Sequence, residues 1–127
     1  MRFKVNDTAL TDKELAGFCV GWKEPLDGAT LYRALRGSHC YVTARDEHGQ
    51  LAGFVNAISD GVFAAYIPLL EVLPEYKGRG VGTELMRHML AHLSGARIVD
   101  LMCDAELEGF YKRLGMYRMV GMRFTHR

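Results

Sequence analysis

One stretch constrains this chain more than any other: Tyr66 to Leu93, YIPLLEVLPEYKGRGVGTELMRHMLAHL. It begins as an apolar, strand-like run from Tyr66 to Val72 and turns at Pro74. Gly78, Gly80 and Gly82 then fall within five residues, with Lys77 and Arg79 among them. From Val81 the spacing becomes helical and places Val81, Leu85, Met86, Met89, Leu90 and Leu93 on one face. Strand, glycine-rich loop and helix in that order make an anion site. The first N–H groups of a helix have no intrahelical acceptor, and the helix dipole is positive at that end. The stretch therefore predicts a ligand that carries phosphates.

Two phosphate-binding motifs are excluded by spacing. A Walker loop requires Gly-Lys-Ser/Thr after a four-residue gap, whereas Gly82-Thr83-Glu84 supplies no lysine there. A dinucleotide fingerprint requires Gly-x-Gly-x-x-Gly early in a strand–helix–strand unit. Gly78 to Gly82 has another spacing and follows an expected three-strand meander.

The whole chain sets further bounds. At 127 residues it can build one core and not two, so residues 1–127 are expected to form a single domain. Sixteen basic against fifteen acidic side chains leave a net charge of +1, which gives no reason to expect nucleic acid or a membrane as partner. Cys19, Cys40 and Cys103 are odd in number and widely spaced, a pattern that fits free thiols in a reducing compartment. The opening MRFKVND has no signal-peptide core. The longest apolar run, Val62 to Leu73, contains Pro68 and Glu71 and is too short to cross a bilayer. The expectation is a soluble, cytoplasmic protein.

Along the chain, Arg2 to Val5 reads as a short edge strand. Thr11-Asp12-Lys13-Glu14 reads as a capping box, with a helix behind it that buries Leu15, Phe18, Cys19 and Trp22. A second helix spans about Ala29 to Arg36 and stops at Gly37. Strands are expected over Cys40 to Arg45, Leu51 to Ser59 and, as one long element, Val62 to Val72. Asp46 to Gly49 would join the first two, and Asp60-Gly61 would join the last two as a two-residue turn. After the loop helix, Ser94-Gly95 is a stop, and Arg97 to Cys103 returns as a buried strand parallel to the one before the loop. A short helix follows from Leu107 to Leu114, closed by Gly115, and the tail Tyr117 to Thr125 has room for one or two short strands. The fold class is α/β: a mixed central sheet with an antiparallel meander followed by a parallel strand–helix–strand crossover.

Two motifs in this order resemble the GNAT superfamily of N-acetyltransferases. That family carries Gln/Arg-x-x-Gly-x-Gly/Ala after a strand ending in Val-x-Pro. Here the matching residues are Val72-Leu73-Pro74 and Lys77-Gly78-Arg79-Gly80-Val81-Gly82, with Lys77 where Gln or Arg is usual. Downstream, GFYKRLGM (Gly109 to Met116) is similar to the family's Leu-Tyr-x-x-x-Gly-Phe signature, and Asp104 stands where Asn is usual. The match covers about residues 40 to 118.

The resemblance implies a GNAT-like single domain with helices on both sheet faces and acetyl-CoA as co-substrate. The pyrophosphate would be cradled by N–H groups from Gly78 to Thr83, through Arg79, Gly80, Val81 and Gly82, with Lys77 and Arg79 as nearby cations. Pantetheine would fill a gap where the strand ending at Val72 splays from its parallel neighbour, pairing with backbone near Val72 and Leu73. One of those N–H groups would polarise the thioester carbonyl. Tyr111 is the candidate general acid for the departing thiolate. Asp104 would contact CoA or, alternatively, cap the helix that begins near Ala105.

Glu71 is the candidate base, because a carboxylate in an apolar strand needs a partner or a task. His39, Asp104 and an ordered water are alternatives. His88 and His92 have metal-capable spacing on one helix but no evident third ligand, so no metal is expected. The acceptor side offers Trp22, Glu24, Tyr32, His39 and Tyr66, aromatic and acidic groups compatible with a small-molecule or peptide amine. The resemblance also implies a possible homodimer.

Overall fold

The computed structural model describes residues 1–126. Its elements are β1 (Arg2–Val5), α1 (Asp12–Leu15), α2 (Gly28–Arg36), β2 (Cys40–Arg45), β3 (Leu51–Ser59), β4 (Ala64–Ile67), β5 (Leu70–Val72), α3 (Val81–His92), β6 (Ile98–Leu101) and α4 (Glu108–Lys112). One sheet runs in the order β1-β2-β3-β4-β6, with β5 also on β3. All pairs are antiparallel except β4–β6, which is the expected parallel crossover.

Period-2 alternation divides the sheet residues between two cores. On one face Cys40, Val42, Ala44, Val55 and Ala57 meet Val81, Leu85, Met86 and Met89 of α3. On the other, Tyr41 and Phe54 meet Leu15, Phe18, Leu31 and Leu35 from the α1–α2 side. Leu85, Met86 and Met89 are wholly buried, each contributing about 1.5–3 kcal/mol of apolar burial. The helix behind the glycine loop is therefore firmly seated.

The helix after Thr11 is much shorter than its pattern suggests. The capping box forms, with Thr11 and Glu14 reciprocally bonded, but α1 ends at Leu15. Gly17 and Gly21 weaken any continuation, and Cys19 takes a left-handed φ of +60° that no helix tolerates. Leu15, Phe18 and Cys19 are buried as expected, while Trp22 is 41% exposed. Arg45 holds this short helix down through Asp7 and Glu14, and Thr43 also donates to Asp7.

The other departures all lie near the parallel crossover. Asp60-Gly61 is part of a longer loop, because Asp60 Oδ1 accepts from the N–H groups of Val62, Phe63 and Ala64 and delays β4 to Ala64. The expected strand over Val62 to Val72 is two strands, parted at Pro68-Leu69. Arg97 to Cys103 shortens to Ile98–Leu101 and lies at the sheet edge with alternately exposed residues, rather than buried. Among the described residues the tail from Tyr117 onward forms no strand.

Candidate active site

The site begins with the interruption of one strand. Pro68 has no N–H to give the ladder. Its neighbour Leu69 is instead taken by Asn56 of β3, whose backbone N–H donates to Leu69 O (3.1 Å) while its Oδ1 accepts from Leu69 N (3.1 Å). Asn56 is 3% exposed, and its Nδ2 donates to Ser38 Oγ at 3.0 Å, so both polar atoms of its side chain are paired. Past it, β5 remains on β3, while the β4–β6 ladder ends at Ile67–Leu101. The sheet opens there.

A cavity of about 540 Å³ lies in the opening. Ile67, Leu70 and Leu101 form its apolar walls, and Glu71, Cys103, Asp104 and Tyr111 bring polar groups into it. Trp22 reaches in from the loop between α1 and α2, and Arg123 from the tail.

Backbone on β5 is sorted by alternation. Leu73 N–H donates to Ala52 O at 2.9 Å, and Leu73 O accepts from Tyr76 N at 3.0 Å. Its side chain packs against both cores. The Leu73 N–H is thus engaged within the fold, while its carbonyl accepts one hydrogen bond and keeps a second lone pair. Strand N–H groups alternate in direction, so that of Val72 points away from β3 and toward the parted edge.

The glycine loop is built for bare backbone. Gly78 and Gly80 have φ of +79° and +78°, and an added Cβ at either would meet nothing within 4 Å. The requirement there is conformational, with open space over the loop. At Gly82 a Cβ would rest in ordinary contact with Phe110 and Val72. Gly80 is the N-cap of α3, and no side chain caps the helix. The first N–H groups of α3, Val81 to Thr83, accordingly meet no side-chain acceptor. Lys77 and Arg79 are both exposed. Arg79 lies over the Tyr76 ring at 5.6 Å, and the Tyr76 hydroxyl donates to Asp46 at 2.6 Å. That bond, first among several, holds the Asp46 carboxyl below its ordinary value.

Tyr111, on α4, is half-buried and stacks edge-on against Phe110. Burial, then Cys103 and Glu71 nearby, push its hydroxyl above the ordinary value of 10.0. Glu71 pairs in register with Phe54 and so faces the α1–α2 side, where its Oε1 accepts from Cys19 Sγ at 3.1 Å. Asp104 precedes a single 3-10 turn (Ala105–Leu107) and makes no side-chain cap to it, although its carbonyl accepts from Leu107 N. Its side chain is exposed at the cavity instead.

Of the residues expected at the acceptor side, only Trp22 lines the cavity. Tyr32 bonds and stacks with Arg36, Tyr66 is half-buried on β4, Glu24 is exposed, and His39 lies beside Gly61. His88 stacks on Phe3 at 4.9 Å. Sequence reasoning missed Cys19, Asn56, Tyr76, Cys103 and Arg123. The one available signal was Asn56, a polar residue in an otherwise apolar strand.

Comparison with known proteins places this architecture. The sequence profile of the Acetyltransferase (GNAT) family matches residues 8–116. A crystal structure of a protein from Deinococcus radiodurans R1, provisionally described as an acetyltransferase, superposes with a TM-score of 0.91 at 43% identity, covering 98% of this chain and 87% of that one. An uncharacterized N-acetyltransferase, ycf52, of Pyropia yezoensis is 31% identical over 113 residues, which is 83% of this chain and 64% of the relative. Serotonin N-acetyltransferase 2, chloroplastic, of Oryza sativa subsp. japonica is 33% identical over 75 residues, 58% of this chain and 38% of the relative. The chain thus spans just under two thirds of the length of the first of these curated relatives.

Proposed function

The chain belongs to the Acetyltransferase (GNAT) family, and from that premise we propose that it is an acetyl-CoA-dependent N-acetyltransferase acting on a primary amine. The observation that carries this reading is the parting of β5 from β6 over a cavity lined by both Glu71 and Tyr111. The fit to the co-substrate rests on two features of the chain. The uncapped start of α3 follows a bare glycine loop, and the Val72 N–H is turned to the parted edge.

Acetyl-CoA, when bound, supplies an acetyl group activated as a thioester. Every other task falls to the protein. N–H groups of Gly78, Arg79, Gly80, Val81, Gly82 and Thr83 bind the pyrophosphate, with the exposed Lys77 and Arg79 adding charge. Arg79 is steadied for this by Tyr76. Val72 N–H donates toward the thioester carbonyl. Glu71 accepts a proton from the acceptor ammonium at its carboxylate, and the Tyr111 hydroxyl delivers one toward the departing sulfur. Because the Tyr111 hydroxyl is raised above 10.0, it stays protonated at neutral pH and serves as a donor. Asp104 stands at the cavity with its side chain free of the helix and is assigned to the co-substrate side.

The test is thiol release from acetyl-CoA with spermidine, tryptamine, a peptide with a free N-terminus and a peptide with a free lysine side chain. Release with one or more amines supports the reading. CoA binding without release from any of them would favour an acyl-CoA-binding module that does not turn over.

We further propose a homodimer built on the tail. Tyr117, Met119, Val120, Met122 and Phe124 are exposed between 73% and 92%. These residues fall on both parities of an extended chain, and a strand apolar on both faces belongs between neighbours. Beside it, β6 is the edge strand of the sheet among the described residues, with Ile98 and, just past the strand, Met102 exposed. Sedimentation should give a dimer for the full chain and a monomer for a chain ending at Met116; identical behaviour would remove the proposal.

A further inference from the structure

The α1–α2 loop touches the proposed base through one polar bond, from Cys19 Sγ to Glu71 Oε1 at 3.1 Å. The backbone at that point is unusual. Cys19 has a φ of +60°, a conformation that favours glycine, and glycines stand only two residues away on either side, at Gly17 and Gly21. The chain nevertheless carries a side chain at the strained position. That side chain is 8% exposed and packs in the core beneath α1 and α2, so the sulfur is fixed in place.

We propose that Cys19 is a positioning residue for acetyl transfer: its thiol holds one oxygen of the Glu71 carboxylate and so aims the other into the cavity toward the acceptor amine. The inference rests on Glu71 being the base. A glutamate has three side-chain torsions, and among the described residues the Glu71 carboxylate accepts a hydrogen bond from Cys19 alone. One donor on Oε1 selects among those rotamers and leaves Oε2 to take the proton. Burial, then Glu71 itself, push the Cys19 thiol up to about 12. It therefore remains a donor throughout the working range and has no part as a nucleophile.

Cys19→Gly and Cys19→Ser test the idea. Glycine relieves the left-handed backbone and removes the thiol, while serine keeps a donor. Thiol release from acetyl-CoA is followed with whichever of spermidine, tryptamine or the lysine peptide turns over. Expected is a fall in kcat of about tenfold for Cys19→Gly, less than the roughly 10²–10⁴-fold that a positioned base contributes outright, with KM for acetyl-CoA unchanged. Cys19→Ser should recover most of the loss. In a Glu71→Gln background Cys19→Gly should have no further effect, since both changes remove one function. A crystal structure of Cys19→Gly should show Glu71 in more than one rotamer.

Wild-type kcat in Cys19→Gly, alongside an impaired Glu71→Gln, would overturn the positioning role and leave the base standing. Equal losses in the glycine and serine variants, or additive losses with Glu71→Gln, would overturn it too. An unimpaired Glu71→Gln would instead remove the base assignment, and the inference with it.

Discussion

The two sides of the cleft are built on opposite plans. The side proposed to take the co-substrate is made of backbone: the N–H of Val72, the left-handed Gly78 and Gly80, and the uncapped start of α3. It rests on a helix whose Leu85, Met86 and Met89 are fully buried. The side proposed to take the acceptor is made of side chains. Glu71, Cys19 and Trp22 meet there, two of them from a loop that continues a four-residue helix. Backbone recognition suits a ligand whose charged part never varies, and side-chain recognition is the part that can be rewritten for another acceptor. Substitutions should therefore divide by side: changes at the loop should act on CoA affinity, and changes in the α1–α2 loop on the amine.

The largest effect expected is at Gly80. Valine there would force a β-branched residue to a φ of +78° and place its methyl groups over the open loop. Losing two hydrogen bonds to a charged group, at about 1.5–3 kcal/mol each, should weaken CoA binding about 100-fold or more by calorimetry. Melting should change far less, because the loop itself is exposed. Affinity within a few-fold of wild type would show that the cradle is not where the pyrophosphate sits, and the contrast would fail.

Tyr111 stands where the two sides meet. Phenylalanine keeps the ring against Phe110 and removes only the proton donor. Turnover should fall about 10- to 100-fold while CoA affinity stays put. Unchanged turnover would return Tyr111 to plain packing. Trp22→Ala should act more weakly and on the other side, raising KM for the amine several-fold with KM for acetyl-CoA unchanged. If both Michaelis constants moved together, the loop would be supporting the whole cleft and the two-plan description would be wrong.

The same contrast explains what could be read from the sequence. The loop was legible because left-handed backbone leaves glycine at fixed spacing, and α3 because its buried face repeats every three or four residues. Strands β2 and β3 were legible to the residue because each is a largely apolar run bounded by turn residues, even though their register shifts at Ala44/Arg45. The opening of the cleft was not. Val62 to Val72 reads as one apolar run; Pro68 marks where it breaks, but the parting is completed by Asn56 of the neighbouring strand capturing Leu69. Likewise the bond between Cys19 and Glu71 spans 52 residues, and no local pattern announces it. The helix after Thr11 was read too long because its apolar spacing persists through Trp22 although Gly17, Cys19 and Gly21 end it. Contacts fixed by the backbone were visible early; contacts fixed by tertiary packing were not.

The smallest effect expected is a local one with pH. Burial alone would raise Asp7, but hydrogen bonds from Arg45, Thr43 and Ala9 N–H outweigh it and hold its carboxyl below the ordinary 3.8. Glu14 is held below 4.5, chiefly by Arg45. Both folded values are depressed, so their stabilisation is fully present above the ordinary carboxylate range and is lost as pH falls through the lower folded values. Arg45 joins β2 to Asp7 and to α1, and α1 leads into the loop that carries Cys19 and Trp22. Lowering the pH from about 6 to about 3 should therefore loosen the acceptor side first, raising amide exchange in residues 12–22 while α3 remains protected. Arg45→Met should bring that loosening to neutral pH. Exchange that rises uniformly through α3 and the α1–α2 loop would mean the two sides unfold as one unit, so that their separation lies in chemistry and not in stability.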